Sequence, residues 1–575
     1  MFSSIAWSKV FPVLEWGRSY DKASFQDDLI GGVVVTFITV PQVIAYAFLA
    51  GLPAEMGLYS AIVATCCYAF LGTGRTLAVG PTAIVAMMAF ETVSSLAEPG
   101  SAAYVETMLK LTLITGVVLV VLRVVNFGSM VNFMSHAVIT GFITAAAALI
   151  IMNQLTAVFG ISAADGSGFV SILLHLLASI QNANLTALWI SISALLVLWF
   201  CRSFLESILL VRGLSKRFAG ILVKSAPMYV VVLGVALVWS LDLGSSAGVT
   251  IVGAIPTQLP VLSLISVGTN EFLELLPSAF LIALVVFIES TSIGTAVASK
   301  RREKIDPNQE LVGIGGANIG SALFGGFPVA GSFGRTMVNF SAGAVTPVSS
   351  LVTAVCVVVT LLWLTPLFYH LPVGILAVII VIAASQLIDL KAIRRILTFN
   401  RTDAVTTVTT FVAVLLVGVE TGILIGVSIS FVLLIRGSSK PHIAVVGRFG
   451  DSEHFRNVLR HDVTTIPNLL MVRVDESLYF VNSRYVETFM LDKIADHPDV
   501  DNILLICTAI NFIDASGLEV LESLNEKLHE AGVTLNLAEV KGPVTDTLNK
   551  TEFYRNMHGK IFFTTDIAMR ELTRK

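Results

Sequence analysis

Between residues 29 and 435 the chain alternates long apolar runs with short polar interruptions, and many runs approach the ~20 residues that a helix needs to cross a bilayer. They fall at 29–50, 57–71, 81–96, 108–125, 137–159, 185–204 and 228–241, then at 276–299, 311–324, 332–344, 348–368, 373–388, 404–419 and 421–435, fourteen in all. After Lys440 the pattern changes. Strands expected at 469–474, 502–507 and 534–538 alternate with helices at 483–495, 515–531 and 544–549, the order of a small α/β sheet domain. The expected organisation is an N-terminal segment 1–27, a transmembrane region 28–436, a polar linker 437–460 and a C-terminal domain 461–575.

Lysine and arginine give an independent check, because they collect in loops on the cytoplasmic side of a membrane. They occur at Arg75, at Arg123, between Arg202 and Lys224, at Lys300 to Lys304, between Lys391 and Arg401, and at Arg436 with Lys440. The loops between are separated by two, two, two, four and two of the apolar runs, while 98–106, 160–168 and 242–271 hold neither residue. Even intervals put all the basic loops on one face with the N-terminus, so both termini and the C-terminal domain are expected in the cytoplasm. Trp7, Lys9, Trp16, Arg18 and Lys22 give the N-terminal segment the character of an interfacial anchor without a cleavable apolar core.

Fourteen runs divide as seven plus seven that start on opposite faces, the arrangement of an inverted repeat. The third run of each half is short and begins at a glycine-rich break, Ala78-Val79-Gly80-Pro81-Thr82-Ala83 in one and Val329-Ala330-Gly331-Ser332-Phe333 in the other. Half-helices that begin at mid-membrane present unpaired N–H groups and positive dipole ends, and the gap between two of them attracts an anion.

Composition narrows the classes further. With 55% hydrophobic and 13% charged residues and a net charge of −4, the chain is a polytopic membrane protein with no basic face for nucleic acid. Its five cysteines have no metal-ligand spacing, so they read as reduced packing residues. No paired carboxylates at catalytic spacing, metal cluster, nucleophile elbow or phosphate loop is visible, and no enzyme activity or bound cofactor is expected.

Asp28-Leu29-Ile30-Gly31-Gly32, Val40-Pro41-Gln42 with Ala45-Tyr46-Ala47, Gly51-Leu52-Pro53, Gly57-Leu58-Tyr59, Gly80-Pro81-Thr82-Ala83 and Gly331-Ser332-Phe333-Gly334-Arg335 together resemble the SulP family of sulfate permeases and related anion transporters. Phe512-Ile513-Asp514-Ala515-Ser516-Gly517-Leu518 resembles the signature loop of a STAS domain. The resemblance implies a uracil-permease-like fold, a core domain that carries substrate against a gate domain, and a homodimer. In soluble relatives of the tail the serine at this place can be phosphorylated. Ser516 is therefore a regulatory candidate and points to a cytoplasmic regulator as partner, although helix capping by Asp514 or Ser516 accounts for the same pattern.

Arg335 reads as an anion ligand or a counter-charge behind the site, or else as half of a permanent salt bridge. Glu289, the acidic residue deep in the eighth run, is its expected partner and the ion-coupling candidate, a role that the resemblance associates with an acidic residue on this helix. Gln42 and Tyr46, four apart, offer donors to an oxyanion or to a neighbouring helix. Ser332, Phe333 and Ala83 complete the expected substrate-binding set through helix-start N–H groups, although Phe333 equally suits packing. Glu91, Asn153, Gln154, His136 and His175 are weaker candidates.

The leading expectation is a secondary transporter in the plasma membrane, the inner membrane of a bacterium, that moves sulfate with protons by an elevator-like shift. Alternatives are sodium-coupled bicarbonate or dicarboxylate uptake, with Ser290, Thr291 and Thr295 near Glu289 as sodium ligands, a passive anion channel, and an anion sensor signalling through Ser516.

Overall fold

The computed structural model describes residues 11–17, 20–128, 135–162 and 168–573. Trp7, Lys9 and Arg18 lie outside them. Trp16 is buried in the protein rather than held at a surface, so that part of the expected anchor is a packing residue.

The first compact unit contains the same series of elements twice. The first half runs α1 (Lys22–Leu49), α2 (Ala54–Leu71), β1 (Val79–Gly80), α3 (Ala83–Ser94), α4 (Ala102–Val124), α5 (His136–Val158), α6 (Phe169–Ser179), α7 (Leu185–Phe200) and α8 (Ala226–Ser240). The second runs α9 (Thr269–Arg301), α10 (Pro307–Leu323), β2 (Ala330–Gly331), α11 (Phe333–Ala342), α12 (Val348–Val359), α13 (Val373–Ser385), α14 (Leu390–Phe399), α15 (Arg401–Val417) and α16 (Val419–Ser439). Packing follows the repeat: α4 lies against α9 and α10, as α12 lies against α1 and α2.

Every expected run carries a helix, but nine helices among the described residues are long and apolar enough to cross a membrane, or ten if a bent pair ending in α8 counts as one span. The half-helices α3 and α11 are too short to cross alone. Several helices lie outside the apolar runs, among them Glu206–Val211, Lys216–Lys224 and the pair α6 and α14. Helices α6 and α14 hold corresponding places in the two halves; α6 is apolar but only 11 residues long, and α14 is amphipathic, so neither makes a run of spanning length. Long-range packing sorts the rest into two bundles, one of α1–α4 with α9–α12 and one of α5, α7 and α8 with α13 and α15, meeting through α1 and α3.

The second unit holds a six-stranded sheet in the order β4-β3-β5-β6-β7-β8. Strands β5 (Leu469–Val474), β6 (Asn502–Ile506), β7 (Thr534–Ala538) and β8 (Ile561–Phe562) are parallel, and helices 483–495 and 515–530 fall where the sequence places them. The expected linker 437–460 is corrected: it contains β3 (Ile443–Arg448) and β4 (Phe455–Asn457), which extend the sheet in antiparallel register. Polar flanks hid a short apolar strand, Ile443-Ala444-Val445-Val446, whose pairing with β5 comes from tertiary structure. Cys507, buried in this core, has its thiol pushed up to about 12, first by burial and then by the Glu539 carboxylate, which leaves it unreactive.

Candidate functional site

The two glycine-rich breaks meet. β1 and β2 pair antiparallel, Val79 with Gly331 and Gly80 with Ala330, and the Ser332 N–H adds a bond to the Ala78 carbonyl at 2.9 Å. This strand pair leaves α3 and α11 to begin close together. The surrounding helices fix the strands by side-chain hydrogen bonds. Asn318 takes both Val329 groups at 3.0 Å, Ser290 Oγ accepts the Gly331 N–H at 2.8 Å, and Thr65 donates to the Val79 carbonyl at 2.9 Å. Gly80 is needed for close approach, since a Cβ there would stand 3.0 Å from Arg335 Nη1. Replacing Asn318 with leucine would strand the buried N–H and carbonyl of Val329, at about 1–3 kcal/mol each. The expected result is a clear fall in melting temperature together with weaker anion binding; binding unchanged in a destabilised variant would show that the strand pair does not hold the site.

A cavity of about 70 Å³ lies over the helix starts, lined by Gln42, Tyr46, Thr82, Ala83, Glu289, Ser332, Phe333 and Gly334, and closed by Ala383, Ala384, Gln386 and Leu387 at the end of α13. It therefore sits where the two bundles meet. Neither Thr82 nor Ser332 caps its own helix with its side chain. Gln42 Oε1, Thr82 Oγ1 and Glu289 Oε2 are buried polar atoms without a hydrogen-bond partner. Native interiors rarely leave such groups unpaired, so atoms orphaned along a cavity wall mark a place where a solute or water completes the bonding. An apolar cavity of about 240 Å³ adjoins it and shares Ile84, Glu289, Phe333, Gln386 and Leu387.

The structure thus brings Gln42, Tyr46, Ala83, Ser332, Phe333 and Glu289 to one cavity. Arg335 is 2% exposed and stands behind the wall, donating from Nη2 to the Pro81 carbonyl at 2.6 Å, with Nε unpartnered. The expected Glu289–Arg335 ion pair is not formed, because the guanidinium turns to the carbonyl that precedes α3 while Glu289 faces the cavity. Thr82 and Gln386 were missed. Thr82 was detectable as the residue at the predicted helix start, whereas nothing in the local sequence of α13 points to Gln386. Asn153 and Gln154 line a separate cavity of about 660 Å³ with Phe48 and Phe90, His136 lies beside Asp389 and Lys391, and His175 contacts the Ser162 carbonyl. In the second unit Asp514, not Ser516, caps its helix, accepting the Gly517 N–H at 2.7 Å, and Ser516 is half-buried two residues further on.

Facing half-helices over a polar cavity between two bundles of a repeated helical fold define a membrane transporter of the broken-helix type. The chain belongs to the sulfate permease family, whose model matches residues 25–410, and a STAS domain model matches residues 460–568. It is 31% identical over 566 residues to a probable sulfate transporter 4.2 of Arabidopsis thaliana, covering 96% of this chain and 82% of that one. It is 32% identical over 578 residues to high affinity sulfate transporter 2 of Stylosanthes hamata, covering 97% and 86%. Among solved structures, the murine Slc26a9 anion transporter in its inward-facing state superposes with a TM-score of 0.87 at 23% identity, over 100% of this chain and 96% of that one. The transmembrane domain of a cyanobacterial bicarbonate transporter, BicA, superposes with a TM-score of 0.60 at 22% identity, over 72% and 98%.

Proposed function

We propose that the protein is a secondary active transporter that carries sulfate into the cell with protons, binding the anion between α3 and α11. The observation that carries the proposal is the cavity itself. It combines two helix starts without side-chain caps, three orphaned polar atoms and a fixed positive charge behind one wall. Oxyanions take hydrogen bonds at several oxygens, and helix-start N–H groups supply these without a side-chain charge that would trap the ligand. The relatives named as sulfate transporters favour sulfate over other oxyanions.

Glu289 makes proton coupling the natural route. With a carboxylate on the wall, a sulfate dianion enters against a like charge, and a proton on Glu289 removes it. Movement of the bundle carrying both half-helices against the bundle carrying α13 then exposes the site to each face in turn. On this reading both termini lie in the cytoplasm, on the side of the basic loops, and the family resemblance supports a homodimer in the plasma membrane with Ser516 available to a cytoplasmic regulator. The test is uptake of labelled sulfate into proteoliposomes. Accumulation driven by an inward proton gradient is expected, and uptake indifferent to pH would contradict the coupling.

A second assignment, sodium-coupled bicarbonate uptake, is favoured by one observation: Thr291 Oγ1, two residues from Glu289, is buried and also unpartnered. Sodium-dependent uptake of bicarbonate with no sulfate flux would select it.

A further inference from the structure

The half-helix α3 carries a second set of contacts at the end remote from the cavity. There Glu91 accepts the Val419 N–H at 3.2 Å on Oε1 and 3.1 Å on Oε2, which pins the turn between α15 and α16. The next residue on each side reciprocates: Thr92 donates to Glu420 Oε1, while Ser278 of α9 donates to Glu420 Oε2 at 2.8 Å. Gly418, which makes the turn, has φ +105°, and a Cβ there would run into Glu91 Oε1. Both carboxylates are half-buried, and no described lysine, arginine or histidine forms an ion pair with either. They are not used as salt bridges. Each is used as an acceptor for donors belonging to a different element.

These contacts join α3 and α9, from the bundle that carries the half-helices, to the turn that follows α15 of the other bundle. From Ala83, at the cavity, to Glu91 is eight residues of one helix, or about 12 Å. A single short rod thus has the site at one end and the fastening at the other, on the face opposite Arg401 and Arg436. Any shift of one bundle past the other must break these hydrogen bonds.

We propose that Glu91 and Glu420 form a latch that fastens α3 and α9 to the α15–α16 turn, closes that face of the protein, and sets the fraction of molecules whose cavity opens there. This rests on the alternating-access assignment above. Both are positioning residues, since neither touches the cavity. Weakening the latch raises the open fraction on its own face and lowers it on the other, and apparent affinity on each face follows that fraction.

The experiment attaches spin labels at Ser95→Cys on the segment after α3 and Thr421→Cys on α16, in a chain with its native cysteines replaced, and measures their separation in nanodiscs. One short distance should dominate. In Glu91→Ala/Glu420→Ala, and separately in Gly418→Ala, which leaves both carboxylates in place, a longer-distance population should rise at least ~3-fold, and sulfate half-saturation should fall by about the same factor on the latch face while rising on the other only in proportion to the smaller fraction lost there. Unchanged distances in both folded variants would overturn the latch. Distances that lengthen without a matching fall in half-saturation on the latch face would keep the latch and contradict the carrier assignment, so the two failures are separable.

Discussion

Replacing Arg335 with glutamine is expected to reduce sulfate binding and uptake by about 100-fold or more while leaving the fold intact. The guanidinium is buried, forms no ion pair with Glu289 and stands directly behind the start of α3 through its bond to the Pro81 carbonyl. Taken at about 5–6 Å from a bound anion, with an effective dielectric near 20, it attracts each unit of anion charge by about 3 kcal/mol. One such increment is about two powers of ten in affinity. Glutamine preserves a donor for Pro81, so a large loss would report charge rather than a broken hydrogen bond. Arg335→Lys should recover part of the binding, because it returns the charge without the fork. Calorimetric titration with sulfate checks the binding and thermal melting checks the fold. Affinity within about threefold of wild type would show that Arg335 serves only to tie the two breaks together.

The second large effect is on pH dependence. In the wild type, anion binding is expected to tighten as pH falls, by up to about tenfold per unit where one proton is taken up with each anion. The sign follows from the site: ionised Glu289 faces the cavity and opposes the dianion, and protonated Glu289 does not. Glu289→Gln carries the neutral form permanently. It should bind sulfate at high pH at least as well as the wild type, lose the pH slope, and exchange sulfate without accumulating it against a gradient. Counterflow and gradient-driven uptake in the same proteoliposomes separate these properties. A retained pH slope in the glutamine variant would move the coupling proton elsewhere.

Much of the fold was legible because hydrocarbon imposes its own regularity. Apolar runs, basic loops on one face and the glycine-rich breaks at Gly80 and Gly331 follow from local composition, and the antiparallel pairing of β1 with β2 gives the breaks their common purpose. What stayed hidden depended on partners distant in sequence. The strand Ile443–Arg448 looks like a linker until β5 pairs with it. Gln386 joins the cavity because α13 crosses the half-helix starts, and no local pattern records that crossing. Glu289 and Arg335 were the obvious pair among few buried charges, yet a backbone carbonyl, which sequence does not display, takes the arginine. Glu91 reads from sequence only as a weaker candidate; the structure shows both its oxygens occupied by the Val419 N–H.

The account depends most on an oxyanion lying between the two half-helices. Selenate, a sulfate analogue with an anomalous scatterer, tests this directly by diffraction from crystals of the full chain. The predicted result is one strong peak within about 3–4 Å of the Ala83 and Phe333 N–H groups and of Gln42, weakened in Arg335→Gln. A peak elsewhere, or none in protein that transports selenate, would contradict it.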